Sequence, residues 1–159
     1  MTITVSGIPS EGTWFTALGG GTEQPTMIRA REDILPLLPV PALATRVVVS
    51  WTCRAPLESG LPSPDDYDEL GDFEGTLVNF VEEGAILAFV YTTEGVVEYS
   101  FYTSDAEWFL ERLNEAMSDK GDVPIEIVAE TDAGWTEYRG LMGAVGNEED
   151  PSGDVWERW

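Results

Sequence analysis

The sequence predicts a single α+β domain in which an antiparallel sheet carries its helices on one face. Three observations lead there. Strand-like runs with period-two alternation recur along the chain. Two other stretches repeat their apolar residues every three or four positions and open on helix-capping residues. From residue 45 to 131 the elements fall in the order strand-helix-strand, strand-helix-strand. A length of 159 residues fits one domain, and 43% apolar residues is enough for a sizeable core.

The N-terminal part is the least regular. "TITVSG" and "GTWFTAL" are weakly strand-like, "GGGTEQP" is a loop, and "TMIRARE" reads as another short strand. Pro36, Pro39 and Pro41 make "LPLLPVPAL" an extended connector, since each fixes φ and restricts the residue before it. "TRVVVSWTC" is the first strong strand. Val47, Val49, Trp51 and Cys53 share one face, and Arg46, Val48, Ser50 and Thr52 take the other.

After the loop "RAPLESGLPSP", a helix opens with Ser63 as N-cap, Pro64 at the first helical position and Asp66 three residues after the cap. Tyr67, Leu70, Phe73, Leu77, Phe80 and Val81 form its inward stripe, and Gly84 ends it. Gly71 and Gly75 each cost about 1 kcal/mol relative to alanine. They are expected either to let the helix approach the sheet closely or to mark an irregular first half. "AILAFVYTTEGVVEYSFYT" is a hairpin turning at Glu94-Gly95. Ser104-Asp105-Ala106-Glu107 reads as a capping box for a second helix, which buries Phe109, Leu110, Leu113, Ala116 and Met117 and closes at Gly121. "PIEIVAE" is the last strand, and "TDAGWTEYRGLMGAV" is a turn with a short helical piece.

The order over residues 45–131 is that of the split βαβ, or ferredoxin-like, arrangement (βαββαβ). Right-handed crossovers place both helices on one face. The N-terminal strands are expected to extend an edge or to cover part of the open face. Residues 1–142 make the domain, and residues 143–159 an acidic tail.

The charge is unusual. Thirty acidic residues against eight basic ones leave −22. Such a field repels nucleic acid and anionic membrane and attracts basic proteins. Screening limits its reach to about 8 Å at physiological salt, yet capture is accelerated by up to ~10³-fold over a neutral pair. High acidity also serves solubility alone. The single cysteine, Cys53, rules out an internal disulfide and falls in an apolar run. Neither a signal-peptide pattern nor an apolar stretch of membrane-spanning length appears, so the expectation is a soluble protein of a reducing cytoplasm.

Metal and catalytic chemistry find little support. There is no histidine, and one cysteine cannot build a zinc or iron–sulfur site. Asp66, Asp68 and Gly71 imitate the first, third and sixth positions of a calcium loop, but Leu70 and Leu77 stand where its fifth and twelfth ligands belong. Serine or cysteine nucleophiles lack their usual base. Carboxylate pairs are too plentiful to single one out. The triple glycine at 19–21 lacks the spacing and lysine of a phosphate loop. No cofactor and no catalytic residue is expected.

What remains is charge on display. Asp65, Asp66, Glu69, Asp72 and Glu74 are expected to project away from the apolar stripe of the first helix, and Glu82 and Glu83 continue the charge. The helix dipole favours acids in the first turn by about 0.3–1 kcal/mol each. It does not account for acids beyond that turn, and it opposes Glu82 and Glu83. The face is read either as a partner surface or as a solvated one. Trp156 and Trp159 of the tail are read either as docked on the body or as partner anchors.

Several fragments occur in a familiar order. They are Gly60-Leu61-Pro62 before the acidic helix, Gly95 with Tyr99-Ser100-Phe101-Tyr102 in the hairpin, and Asp132, Trp135 and Tyr138 near the end. Over roughly residues 14–142 the chain resembles the bacterial domain-of-unknown-function family 695. It departs from the family pattern where Leu141 leads to Met142 and Gly143 in place of a proline, and in the acidic tail. The resemblance implies a relation to the regulator domains that inhibit ribonuclease E, and to acidic immunity proteins found beside secreted toxins. It implies a cytoplasmic binding protein and carries over no catalytic residue. Read from the residues themselves, Asp132 caps a turn, and Trp135 and Tyr138 clamp the last strand to the body.

The expected function is therefore a non-catalytic inhibitor or immunity protein that covers a basic surface on a nuclease or toxin. Carboxylates would occupy arginine and lysine sites otherwise used for phosphate. The alternative is a small-ligand or peptide module on the open sheet face, around Arg46, Ser50, Tyr102 and Glu126.

Overall fold

The computed structural model describes residues 4–9, 11–19, 25–146 and 157–158. Its elements, in chain order, begin with a small hairpin of β1 (Thr4–Val5) and β2 (Ile8–Pro9). Next come β3 (Trp14–Gly19), β4 (Thr26–Arg31), a 3₁₀ turn (Leu35–Leu37) and β5 (Thr45–Thr52). The remainder is α1 (Pro64–Val81), β6 (Ala85–Thr93), β7 (Val96–Thr103), α2 (Ala106–Met117), β8 (Ile125–Thr131), α3 (Thr136–Gly146) and β9 (Glu157–Arg158). Seven strands form one sheet in the order β8-β5-β7-β6-β4-β3-β9, and every neighbouring pair is antiparallel. Strands β8-β5-β7-β6, with α1 and α2 as crossovers, stand in the order of a split βαβ unit. β4 and β3 extend the sheet beyond β6, one of the two places foreseen for them.

Each face of the sheet carries its own core. Val47, Val49 and Trp51 of β5 and Val97, Tyr99 and Phe101 of β7 meet Leu70, Phe73 and Leu77 of α1 and Phe109 and Leu113 of α2. On the opposite face Phe15, Ala17, Ile28, Ala30, Ile86 and Tyr102 meet the β1–β2 hairpin, the 34–43 connector and α3. A bulge between Leu87 and Phe89 breaks the alternation of β6, so that the consecutive Ala88 and Phe89 lie in the same core. The faces are covered unevenly. Beyond the reach of α3, β8 leaves Val128 60% exposed, with Glu126 and Glu130 beside it.

Local chemistry explains the boundaries. Ser63 accepts the Asp66 N–H, and the Asp66 carboxylate accepts the Ser63 N–H, closing the capping box of α1. Glu94 (φ 51°) and Gly95 (φ 79°) both adopt the left-handed region, as a two-residue hairpin turn of primed type requires. Gly60 (φ 87°) docks on that turn: its carbonyl accepts the Gly95 N–H at 2.7 Å, and a Cβ there would stand 3.0 Å from the Glu94 Cα.

Some expectations need correction. The proline-rich connector is not wholly extended, because Leu35–Leu37 close a 3₁₀ turn with the Leu37 N–H donating to the Ile34 carbonyl. The cap of α2 is Asp105 rather than Ser104: Asp105 is extended, and its carboxylate accepts the Trp108 N–H at 3.1 Å. Tyr67 belongs to no inward stripe and is 47% exposed, since it overhangs the part of the sheet that β4 adds. Gly71 and Gly75 sit in an unbroken helix, and a Cβ on either would meet nothing, so neither brings the helix closer to the sheet. The helical piece after Trp135 is a full helix that runs to Gly146, with Val145 buried in the second core.

Candidate functional site

Helix α1 positions most of the acids singled out from the sequence, and it divides them. Asp66 is 1% exposed, not outward as expected. Its carboxylate accepts the backbone N–H groups of Arg54, Ala55 and Ser63, each at 3.1 Å, and the Ser63 hydroxyl at 3.0 Å. Burial opposes its ionisation, but the hydrogen bonds from Ser63, Ala55 and Arg54 outweigh it and hold the pKa below the ordinary value. Asp66 thus fastens the 53–63 loop to the helix start and is closed to a partner. The calcium-like spacing of Asp66, Asp68 and Gly71 lies in continuous helix, where no loop gathers around an ion.

The other acids of α1 have mixed fates. Glu69 pairs with Arg54 at 2.9 Å, and Glu74 forms a two-pronged ion pair with Arg29 of β4. Asp65, Asp68, Asp72 and Glu83 are exposed, Glu82 is partly so, and none of them pairs with a cation among the described residues. Exposed Glu107 and Glu111 continue the charge on α2, which packs beside α1, and exposed Asp119 follows its end. The acidity is therefore not confined to one helix, and exposed Glu11, Glu58, Glu94 and Glu137 lie outside the α1–α2 layer altogether. The outlying acids Glu126 and Glu130 on β8 carry it further around the exterior.

A groove runs along the outer side of α1, where β4 and β3 project beyond the helical layer. The Arg29–Glu74 pair stands in it, as a wall shared by two cavities. One, of about 430 Å³, has Val90, Val97 and Tyr99 in its floor and Tyr67, Met27 and Thr16 around its margin. The Tyr67 hydroxyl reaches the Met27 Sδ at 4.0 Å across that margin. The other, of about 420 Å³, is bounded by Trp14, Glu11, Val78 and Glu82. The Arg29 guanidinium lies 5.1 Å from the Trp14 ring centroid. A smaller cavity of about 180 Å³ lies between Trp51, Arg54, Asp72 and Lys120. Burial, with Asp66 and Glu69 nearby, pushes the Cys53 thiol up to about 11, which keeps it protonated at neutral pH.

The residues proposed around the open sheet face are not in these three cavities. Arg46 pairs with Glu130 at 2.8 Å, and Tyr102 lies buried under α3. The Asp132, Trp135 and Tyr138 motif builds the contact of α3 with the sheet. Asp132 accepts the Thr136 and Glu137 N–H groups at 2.7 and 3.2 Å and the Tyr102 hydroxyl at 2.7 Å. Trp135 donates its indole N–H to the Leu43 carbonyl at 3.0 Å, and the Tyr138 hydroxyl donates to the Arg31 carbonyl. Burial pushes the Tyr138 phenol up to about 12. Trp156 and Trp159 lie outside the described residues.

Sequence reasoning missed the groove and Arg29. The signal available was the run Met27, Arg29, Arg31 on one face of a strand, since guanidinium groups on a sheet face need carboxylates or solvent over them.

Among the described residues no helix is long and apolar enough to cross a membrane, and no group of three or more histidine, cysteine or acidic side chains is placed to hold a metal. No curated protein and no solved structure matches the chain. Residues 13–142 match the family of unknown function DUF695, and with most of its length inside that match the chain belongs to this family.

Proposed function

We propose that this protein is a non-catalytic inhibitor or immunity protein that holds a basic protein partner, of the nuclease or toxin class, against its helical layer. The observation that carries the reading is the set of exposed carboxylates on α1 and α2 that no cation among the described residues neutralises, Asp65, Asp68 and Asp72 foremost. An exposed acid with no internal partner keeps its whole field for an incoming arginine or lysine. The proposal includes a kinship with the acidic regulators of ribonuclease E and a bacterial cytoplasmic setting, where nucleases and toxins need restraint.

The test is a triple reversal, Asp65→Lys, Asp68→Lys and Asp72→Lys, which spares Asp66, Glu69 and Glu74 because those have partners inside the fold. The parent chain, used as bait in cell extract, is expected to retain a basic protein that salt releases. The reversed chain is expected to lose it while melting as a folded protein. Retention indifferent to both salt and reversal overturns the reading.

A second reading, binding of a small ligand or peptide, is favoured by the groove beside α1. Its location shifts from the open sheet face to the helical face, where the 430 Å³ cavity combines an apolar floor with one ion pair.

A further inference from the structure

We propose that the cavity of about 430 Å³ beside α1 binds a free α-amino acid with a large apolar side chain, its carboxylate on Arg29 and the Tyr99 hydroxyl and its ammonium on Glu74. The inference rests on the groove being a ligand site and names the class of ligand. The first support is a pair of polar groups left open. Tyr99 is 2% exposed and Thr92 3% exposed, and both line this cavity. Among the described residues neither hydroxyl has a hydrogen-bond partner. Neither is sealed in packing, as the Trp51 indole nitrogen and the Ser100 hydroxyl are, so both open into the cavity. Burial, with Glu74 close by, raises the pKa of Tyr99, so its phenol stays protonated and can donate. Desolvated hydroxyls without partners cost free energy, and they mark this space as one for a partly polar molecule.

The second support is charge. The two-pronged pair of Arg29 with Glu74 leaves guanidinium donors and carboxylate lone pairs free for a further partner. Glu74 and the Trp14 ring, 5.1 Å from the guanidinium, already hold Arg29 in place, so little side-chain freedom is lost on binding. A simple anion in this cavity would meet the Glu74 carboxylate, and a simple amine would meet the Arg29 guanidinium. A zwitterion satisfies both, and its zero net charge makes it indifferent to a chain that carries −22.

The third support is shape. Leu70, Val90 and Val97 offer apolar contact to a side chain, and Met27 a polarisable sulfur of the kind that packs on ring edges. The cavity volume lies near the lower end of the range for ligand sites, roughly 300–1,000 Å³, which suits a small metabolite and not a bulky cofactor. Gly71 stands in the same wall. It costs α1 about 1 kcal/mol relative to alanine, and a Cβ there would meet nothing, so packing does not require it. Its missing side chain leaves that space to a ligand.

The test follows the Met27 methyl resonance in the NMR spectrum of the full chain, assigned through Met27→Leu. L-Phenylalanine, phenethylamine, hydrocinnamate and N-acetyl-L-phenylalanine amide are added in separate titrations. L-Phenylalanine is expected to move the resonance through its ring current. It should bind at least about tenfold more tightly than the amine or the acid, each of which lacks one charged group. Tyr99→Phe is expected to melt no lower than the parent, since it removes a hydroxyl without a partner among the described residues, and to weaken L-phenylalanine about tenfold. A lower melt, affinity unchanged by Tyr99→Phe, or an amine or acid that binds as tightly as the amino acid overturns the proposal. If only N-acetyl-L-phenylalanine amide moves Met27, the amino-acid assignment fails and the groove stays a peptide site. If no probe moves Met27, both fail.

Discussion

Trp135 lies flat on Tyr102, with ring centroids 3.8 Å apart and planes 6° from parallel. Tyr138 meets Trp135 edge-on at 5.8 Å. Three aromatic rings, each fully buried, thus join α3 to the sheet, and each also places a polar atom on a partner. Trp135→Ala removes the stacked ring and leaves the Leu43 carbonyl without its donor. The expected loss is about 3–5 kcal/mol in denaturant unfolding. An unchanged melt would assign the residue a role other than packing.

Asp132 anchors the same contact from below. Burial opposes its ionisation, but hydrogen bonds from Tyr102, Thr136 and Glu137 prevail and hold its pKa beneath the ordinary carboxylate value. A depressed folded-state pKa contributes stability that is complete above the unfolded-state value, near 3.8, and is lost as pH falls through the lower folded-state value. Asp132→Asn is expected to cost about 1.5–3 kcal/mol at neutral pH. The gap from the parent should close as acid titrates the group. Asp66 and Asp33 are shifted in the same direction, so the quantity to follow is the difference between parent and variant, by chemical denaturation from pH 7 downward.

Two glycines should answer alanine in opposite senses. Gly60→Ala puts a Cβ against the backbone of Glu94 at a left-handed φ, and a loss of at least about 1–2 kcal/mol is expected. Gly75→Ala lies in open space within α1, and a gain of about 1 kcal/mol is expected. Thermal melts of the two variants decide the matter; equal shifts of the same sign would refute the assignment.

Much of the fold between residues 45 and 131 was legible because its signals are local. Alternation in "TRVVVSWTC", the Ser63–Asp66 cap and the Glu94-Gly95 turn are each written within a few residues. The groove was not legible. It exists because β4 pairs with β6, more than fifty positions away, and no local pattern announces that partnership. Tyr67 shows the effect: its spacing is that of a core residue, but the surface beneath it is the extension of the sheet. Asp66 shows another limit. Its sequence neighbours are acids that look alike, and only the folded loop brings the Arg54 and Ala55 N–H groups to this one.

Ile86 and Leu87 are neighbours in β6, yet each is buried in a different core. Tyr102 and Phe101 repeat the division on β7. Any displacement that loosens α3 therefore shifts a strand on which α1 and α2 also rest, and the reverse holds. The two cores share walls, so they are expected to unfold together as one cooperative unit, with a substitution in either core lowering the stability of both.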